Sequence, residues 1–506
     1  MWVLGVHVAD ISRVFAGAAL ISLIFTRSCF SEKFELTRRK TIFLAGFVGL
    51  YCVLIAVYQL SKVYAGSQGI DFAIFSQAID SISRLGFPAI SLITPDWVNF
   101  LGHHFVPFLY VPGVLGYLGL PGYIIGTIVH AVGVGGMAVC LYLICRQLRF
   151  VPAVSLLLTA LILINPSIRH TVFWGIHDET FALPFIALAF LAWQLKRHWL
   201  CFGAMIFVAL TKESMFLFNV CFCLMVFALE FFKTSTDKIP QERPYSSLLP
   251  YAIMLVLSLA GFVSYFFLQP LLISKDFDHF NKIASIDYLL SPEVIRDKIT
   301  WLAFLFVPVV GLPLWGMRLR NILLLLPAAP FVGIVFISGF APMHSLLNYY
   351  ATVPSLIIAI ASLYVLSSLK QGALQQNISK GLVVIGMTVA FSFATNKPSK
   401  DLQENLTSTF RTPGQLSIVP DQSKVVATSS AALFLFRCDK VQRLWLANRL
   451  NPEFDYIVTK PDEDHLIGQE LKNRSKVCFE NSLWKIRCSD GSDINFTKKA
   501  SASTQF

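Results

Sequence analysis

The stretch FWGIHDETFALPFIALAFLAWQL, residues 173–195, decides how this chain is organised. Its first half holds three consecutive ionisable residues, His177, Asp178 and Glu179, and an apolar run begins at Phe181. Another apolar run, residues 151–165, precedes it. Charge confined to the ends of apolar runs is typical of helices that cross a membrane. The stretch therefore predicts a polar turn between two spans, on a side that the rest of the chain must determine.

The composition places the whole chain in the membrane class. Of 506 residues, 55% are hydrophobic and only 14% are charged, whereas soluble chains carry roughly 25% charged residues. The net charge of +11 could suggest a nucleic-acid partner. We expect no such partner, because the basic residues are dispersed between apolar runs rather than gathered on one domain.

The apolar runs predict an α-helical polytopic protein with about 11–12 transmembrane helices. Residues 11–26 form an apolar segment that either spans the membrane or lies on its surface. The remaining runs cover residues 41–60, 122–145, 151–166, 181–195, 198–211, 214–231, 250–273, 300–316, 322–340, 350–367 and 381–395.

The distribution of Lys and Arg predicts the orientation of these helices. One set of linkers holds 16 basic residues in about 59 positions, and the alternate set holds 8 in about 113. The first set is therefore assigned to the cytoplasm: residues 26–40, 146–150, 196–198, 232–249, 317–321 and 368–380. The outside then receives residues 61–121, 167–180, 212–213, 274–299 and 341–349, together with the tail.

Three units follow: an N-terminal apolar segment and basic linker (1–40), a membrane domain (41–395) and an extracytoplasmic tail (396–506). The tail alternates four strand-like runs, SKVVATS, FDYIVTK, KVCFEN and LWKIRC, with the helical run HLIGQELKNR, which predicts a small α/β domain. In an oxidising exterior we expect one disulfide among Cys438, Cys478 and Cys488, with the pairing left open.

The first large outer loop, residues 61–121, contains a predicted amphipathic helix, GIDFAIFSQAIDSISRLGF (residues 69–87). Phe72, Phe75, Ile79 and Ile82 share one face of this helix. That pattern favours a helix lying along the membrane surface.

Nearly every unusual ionisable residue outside the tail falls on the predicted outer side. Each also has a simple structural interpretation. Asp71 could cap the loop helix, and His103, His104 and His344 could be interfacial histidines. His177 to Glu179 could form a solvated turn with an acidic helix start, and Lys212 with Glu213 an ion pair within one turn. Their common location favours instead a polar catalytic cavity, in which a carboxylate acts as a base and cationic groups hold a phosphate.

Four segments in this order and spacing resemble a large prokaryotic family of polytopic membrane proteins known only as a domain of unknown function: DFAIFSQ, LGHHFVP, IHDETFALP and TKES. That family in turn looks like the GT-C superfamily of membrane glycosyltransferases. The resemblance implies transfer of a sugar from a polyprenyl-phosphate donor to a glycan, lipid or protein acceptor. It also implies a plasma (inner) membrane location, with membrane lipid around the helices.

The resemblance also implies roles for individual residues. An acid early in the first large outer loop is the hallmark of GT-C enzymes, and Asp71 holds that place as base or acceptor-positioning carboxylate. Lys212, with His344 or His104, would neutralise the departing phosphate. His177 and Glu179 would shape the pocket or hold a cation, and Glu213, His103 and Gln77 are grouped with them. The cofactor stays unknown, with a divalent cation possible, since the spacing matches no metal motif.

Two other classes of function remain open from the residues alone. A transporter or flippase for a lipid-linked or small anionic substrate could use the same acids and Lys212 as a relay. Such a protein would be expected to carry charges at mid-helix depth and two related halves. No internal repeat is evident, and the charges lie at helix ends. A non-enzymatic membrane scaffold with a partner-binding tail is the third possibility.

Overall fold

A computed structural model gives the architecture of the chain. It describes residues 38–64, 68–92, 96–163, 165–236, 247–272, 319–337, 349–368, 423–428, 440–444, 453–480 and 484–489, with two dipeptides near the N-terminus and a few isolated positions. The predicted spans at residues 11–26, 300–316 and 381–395 lie outside the described residues, as does the outer loop 274–299 apart from Ile295.

Fifteen α-helices are found in the described parts of the chain. They are α1 Arg38–Tyr64, α2 Ile70–Leu85, α3 Phe100–His103, α4 Tyr110–Val114, α5 Gly122–Gln147, α6 Pro152–Leu163, α7 Pro166–Trp174, α8 Asp178–Gln194, α9 His198–Ala209, α10 Met215–Thr236, α11 Leu249–Leu272, α12 Leu319–Leu323, α13 Ala329–Ile337, α14 Thr352–Ser368 and α15 Gln469–Asn473. The prediction of a mainly helical protein is confirmed.

Three of these helices contain segments long and apolar enough to cross a membrane: Leu44–Tyr64, Gly122–Gln147 and Met215–Phe232. Shorter apolar helices accompany them, among them His198–Ala209, Leu249–Tyr265 and Thr352–Ser367. The matching apolar runs in the sequence are therefore helices, although several are shorter than a straight span requires.

The helices pack closely because small residues lie where they cross. In α5, a Cβ added at Gly133 or Gly136 would lie 3.7 or 3.6 Å from Pro184 of α8. A Cβ at Gly135 would overlap the Cys52 sulfur of α1. Helix α5 therefore serves as the axis against which α1 and α8 pack.

Helix α2 forms as predicted, with Phe72, Phe75, Ile79 and Ile82 all buried. Its opposite face is also covered, so the helix packs within the protein on both faces, and its position along the membrane surface stays a prediction. Asp80 on that face is buried and accepts a hydrogen bond from the Gly122 N–H at 2.5 Å, at the start of α5. Burial raises the pKa of Asp80 to about 7, although this N–H and Arg84 act in the opposite direction.

The tail forms a five-stranded sheet, which confirms the predicted small C-terminal α/β unit. Its strands run in the order β6-β5-β7-β9-β8, with β5 parallel to β6 and β7, and β9 antiparallel to β7 and β8. Their bounds are β5 Lys424–Ala427, β6 Lys440–Arg443, β7 Tyr456–Thr459, β8 Ser475–Glu480 and β9 Lys485–Ser489. Two-residue strands form the pairs β1 Trp2–Val3 with β2 Val6–His7, and β3 Ala89–Ile90 with β4 Val98–Asn99.

The sheet covers the polar face of α2. The Ser91 hydroxyl donates to the Val441 carbonyl at 2.8 Å, and Arg84 donates to the Cys438 carbonyl at 3.3 Å. Within the sheet a disulfide joins Cys478 to Cys488, which settles the pairing that the sequence left open. The loop predicted to be the first outer one and the tail therefore lie on the same side of the bundle.

The contact between α2 and α5 generates a test. In Gly122→Ala the new Cβ overlaps the Ser76 carbonyl oxygen and approaches Asp80, so we expect a loss of about 1–3 kcal/mol in the free energy of unfolding. The matched control is Gly203→Ala in α9, where nothing lies within 4 Å of the added Cβ; its effect should stay below about 1 kcal/mol. Thermal unfolding in detergent measures both, and equal losses would contradict the described contact.

Candidate active site

The turn between α7 and α8 is built by local sequence. Asn165 caps α7 by accepting the Ser167 N–H at 3.0 Å, and Pro166 occupies the first helical position. The helix ends at Gly175, whose φ of +124° suits glycine. A Cβ there would also lie 2.5 Å from the Phe72 ring. The interpretation of residues 167–180 as a plain turn is therefore incomplete, because α7 occupies most of it.

His177 and the two acids that follow start α8. The His177 N–H donates to the Thr180 hydroxyl at 3.2 Å, and that hydroxyl donates back to the His177 carbonyl at 2.6 Å. Asp178 and Glu179 lie in the first turn, where a negative charge is favourable to the helix dipole. The acidic helix start is thus present, but all three side chains are buried, so the alternative interpretation as a solvated turn is wrong.

Lys212 joins this turn from the segment between α9 and α10. Its ammonium lies 2.9 Å from Asp178 Oδ2 and 2.5 Å from Glu179 Oε1. His177 Nδ1 contacts the other oxygens of the same two carboxylates. No more than 9% of any of these side chains is exposed. Lys212 therefore pairs across two turns, and the carboxylate of its sequence neighbour Glu213 also stabilises the ammonium.

Mutual pairing decides the charge state of this cluster, which we call the ion network (His177, Asp178, Glu179 and Lys212). Burial by itself would lower the pKa of His177, but the two carboxylates outweigh it and raise the value to about 10. Burial likewise disfavours the charged form of Lys212, and the same carboxylates raise its pKa well above the ordinary value. Two cations therefore balance two anions.

His177, Asp178 and Glu179 can each offer a ligand atom within 4.8 Å of the others, which makes the set a candidate divalent-cation site. The Lys212 ammonium already neutralises both carboxylates at hydrogen-bond distance. A divalent ion would have to displace it. The residues present fit an internal ion network better than a metal centre.

The segment LGHHFVP is attached to the TKES turn through Glu213. One carboxylate oxygen lies 3.1 Å from His104 Nδ1, and the other accepts the Phe105 N–H at 3.0 Å. The Phe108 N–H donates to the Leu210 carbonyl at 2.9 Å. His103 lies beside His104, with ring centroids 4.6 Å apart. Two of the predicted site histidines are thus brought next to Glu213.

Asp71 lies in the first turn of α2 and is half-buried. Gly69 is the N-cap of that helix, so the interpretation of Asp71 as the cap is wrong. Four residues on, and therefore on the same face, the Phe75 ring packs 5.4 Å from the His177 ring. Among the described residues, no hydrogen bond or ion pair joins the Asp71 carboxylate to the ion network.

Two other predicted site residues, Gln77 and His344, do not join the ion network in the described part of the chain. Gln77 ties α2 to the following strand: its amide donates to the Ser91 hydroxyl at 3.0 Å, and its oxygen accepts the Ser91 and Leu92 N–H groups at 2.9 and 3.3 Å. His344 lies outside the described residues. Tyr350, at the start of the predicted span that follows that turn, has its ring centroid 5.8 Å from the Lys212 ammonium.

The sequence interpretation missed two buried polar residues that position the site. The amide nitrogen of Gln59 in α1 lies 2.9 Å from the Val172 carbonyl oxygen, and the ring Nε2 of His130 in α5 lies 2.8 Å from the same oxygen. This carbonyl lies in the last turn of α7, where helices lack internal partners. Isolated polar residues inside apolar runs were the available signal, since intramembrane polar groups tend to be functional.

These features define the class: a multi-pass α-helical membrane protein with a polar cluster joining neighbouring turns and a small C-terminal sheet. A family described as "Predicted membrane protein (DUF2079)" matches residues 66–430. The chain belongs to this family, as the resemblance predicted. No curated protein matches it.

Solved structures similar to the chain include two membrane glycosyltransferases. ArnT from Cupriavidus metallidurans bound to undecaprenyl phosphate is 12% identical, with 88% of this chain and 99% of that chain covered and a TM-score of 0.48. The apo state of the same protein is 14% identical, with 88% of this chain and 98% of that chain covered and a TM-score of 0.48. Arabinofuranosyltransferase AftD from mycobacteria is 13% identical, with 92% of this chain and 41% of that chain covered and a TM-score of 0.46.

The ion network yields a stability prediction. Lys212→Met leaves two buried carboxylates facing one imidazolium, and we expect a loss of about 3–5 kcal/mol in the free energy of unfolding. The control is Lys424→Met, which removes an exposed pair with Glu453 and should cost about 0–1 kcal/mol. Thermal unfolding of both purified variants makes the comparison. Similar small losses would show that the described pairing of Lys212 does not hold.

Proposed function

We propose that this protein is an integral membrane glycosyltransferase that moves a sugar from a polyprenyl-phosphate carrier to an acceptor hydroxyl on the extracytoplasmic face. The observation that carries the proposal is the meeting of four sequence segments at one polar cluster. IHDE and TKES share the ion network, LGHHF is attached to it through Glu213, and DFAIF packs Phe75 against His177. Segments far apart in the chain are placed together as a catalytic cavity requires.

In the proposed reaction the Asp71 carboxylate removes the proton of the acceptor hydroxyl. The hydroxyl oxygen forms a bond to the anomeric carbon of the donor sugar. The bond from that carbon to the phosphate oxygen breaks, and its electron pair leaves with the lipid phosphate. A half-buried carboxylate in the first turn of α2 is accessible enough for this role.

The developing charge on the phosphate needs a cation. His104 is the proposed direct contact, because 25% of its side chain is exposed whereas only 9% of Lys212 is. Lys212 contributes indirectly. It neutralises the Asp178 and Glu179 carboxylates, so that they do not repel the phosphate. The C-terminal sheet, which packs on the same loop helix as Asp71, is proposed to contribute to acceptor recognition.

The role of Asp71 can be tested directly. Asp71→Asn keeps the size of the side chain but removes the base, so transfer from radiolabelled polyprenyl-phosphate sugars should fall by about 10²-fold or more. Asp96→Asn, at an exposed acid of the same outer segment, is the control and should retain transfer. Wild-type-like transfer by the Asp71 variant would eliminate the proposed base.

The orientation can be tested separately from activity. Leu466 in the sheet domain is 51% exposed, and Arg197 lies in an exposed linker predicted to be cytoplasmic. A membrane-impermeant maleimide applied to intact cells should label Leu466→Cys, and should label Arg197→Cys only after permeabilisation. The wild-type chain measures background labelling. The reverse pattern would overturn the assignment of the site to the outer face.

A further inference from the structure

Glu213 makes two contacts with one short segment. Its Oε1 lies 3.1 Å from His104 Nδ1, and its Oε2 accepts the Phe105 N–H at 3.0 Å. The carboxylate therefore holds both the backbone that follows His104 and the His104 ring. A residue that served only to attach the loop would need the backbone contact alone.

Neighbouring rings hold the same segment from both sides. The Phe105 ring lies 5.4 Å from Phe216 and 5.7 Å from Tyr265, between centroids. The His104 ring lies 6.1 Å from Phe100 and 4.6 Å from His103. The ring of His104 is thus fixed in orientation before any ligand arrives, which lowers the entropy lost on binding.

The chemistry of the contact fixes the tautomer. Burial alone would raise the pKa of Glu213, but the neighbouring His104 and Lys212 lower it, so the side chain is a carboxylate. A carboxylate only accepts hydrogen bonds, and Nδ1 must therefore carry a hydrogen. The second ring nitrogen, Nε2, is then the acceptor of the neutral ring and is directed away from Glu213.

We propose that Glu213 is a positioning residue that holds the His104 ring with Nδ1–H towards its own carboxylate and Nε2 towards the phosphate of a polyprenyl-phosphate ligand. With Nε2 protonated, both ring nitrogens donate: Nδ1–H to Glu213 and Nε2–H to a phosphate oxygen. The inference rests on the proposed function for the identity of the ligand, but the ring geometry does not depend on it.

Two variants separate this role from simple attachment of the loop. In Glu213→Gln the amide oxygen can still accept the Phe105 N–H, but the amide nitrogen becomes a donor facing His104 Nδ1. The neutral ring should then carry its hydrogen on Nε2. In His104→Asn the side-chain amide nitrogen can still donate to Glu213 from a position near that of Nδ1, while Nε2 is absent.

The first measurement is ¹⁵N NMR of the full chain labelled at histidine, with the His104→Asn variant used to assign the His104 signals. In the wild type the neutral ring should carry its hydrogen on Nδ1. In Glu213→Gln the neutral ring should switch to the Nε2–H tautomer. An Nε2–H neutral tautomer in the wild type, or no switch in the variant, would overturn the proposal.

The second measurement is binding of decaprenyl phosphate, which carries no sugar, in detergent micelles. Glu213→Gln and His104→Asn should each weaken binding on the order of tenfold, the double variant should be no weaker than either, and Glu453→Gln at an 88% exposed acid should bind like the wild type. Unchanged binding in His104→Asn would refute the proposal even if Glu213→Gln failed to fold. Phosphate binding that depends on Glu213, without sugar transfer by the wild type, would instead reject only the proposed function.

Discussion

The pairing of Lys212 with Asp178 and Glu179 is the interaction on which the arrangement of the site depends. Removing four charged groups from water is costly, and close pairing offsets that cost only if every partner is in place. The α7–α8 and α9–α10 turns are therefore required to lie together, with His177 completing the balance. Glu213, the next residue after Lys212, then brings the His104 segment to the same point.

Helix α2 couples this cluster to the C-terminal sheet. Its apolar face carries Phe75 against His177, while its polar face lies beneath the sheet through Arg84 and the neighbouring Ser91. Asp80 on that polar face satisfies the first N–H of α5, which lacks a partner within its own helix. One helix of 16 residues thus relates the membrane bundle, the proposed base and the tail.

The sequence predicted the elements better than the contacts between them. Apolar runs, the amphipathic pattern of α2 and four of the five tail strands were recognisable, because periodicity and charge placement are local signals. Strand β6 was missed, and so was α7, although Asn165–Pro166 is a helix-start signal. The partners of Lys212 and Glu213 could not be read from the chain. For Lys212, the carboxylate nearest in sequence is the adjacent Glu213, whereas Asp178 and Glu179 are more than thirty residues away. Only tertiary packing selects between them.

The two nitrogens that meet at the Val172 carbonyl have a mechanical consequence. His130 lies eight residues into α5, about 12 Å along its axis from Gly122, and Gln59 lies on α1 within a membrane-spanning segment. The end of α7, and with it the position of His177, is therefore fixed by side chains of two apolar helices that are each long enough to cross a membrane. A tilt of α1 or α5 would therefore carry the Val172 carbonyl with it, and with that carbonyl the start of α8 that bears the ion network.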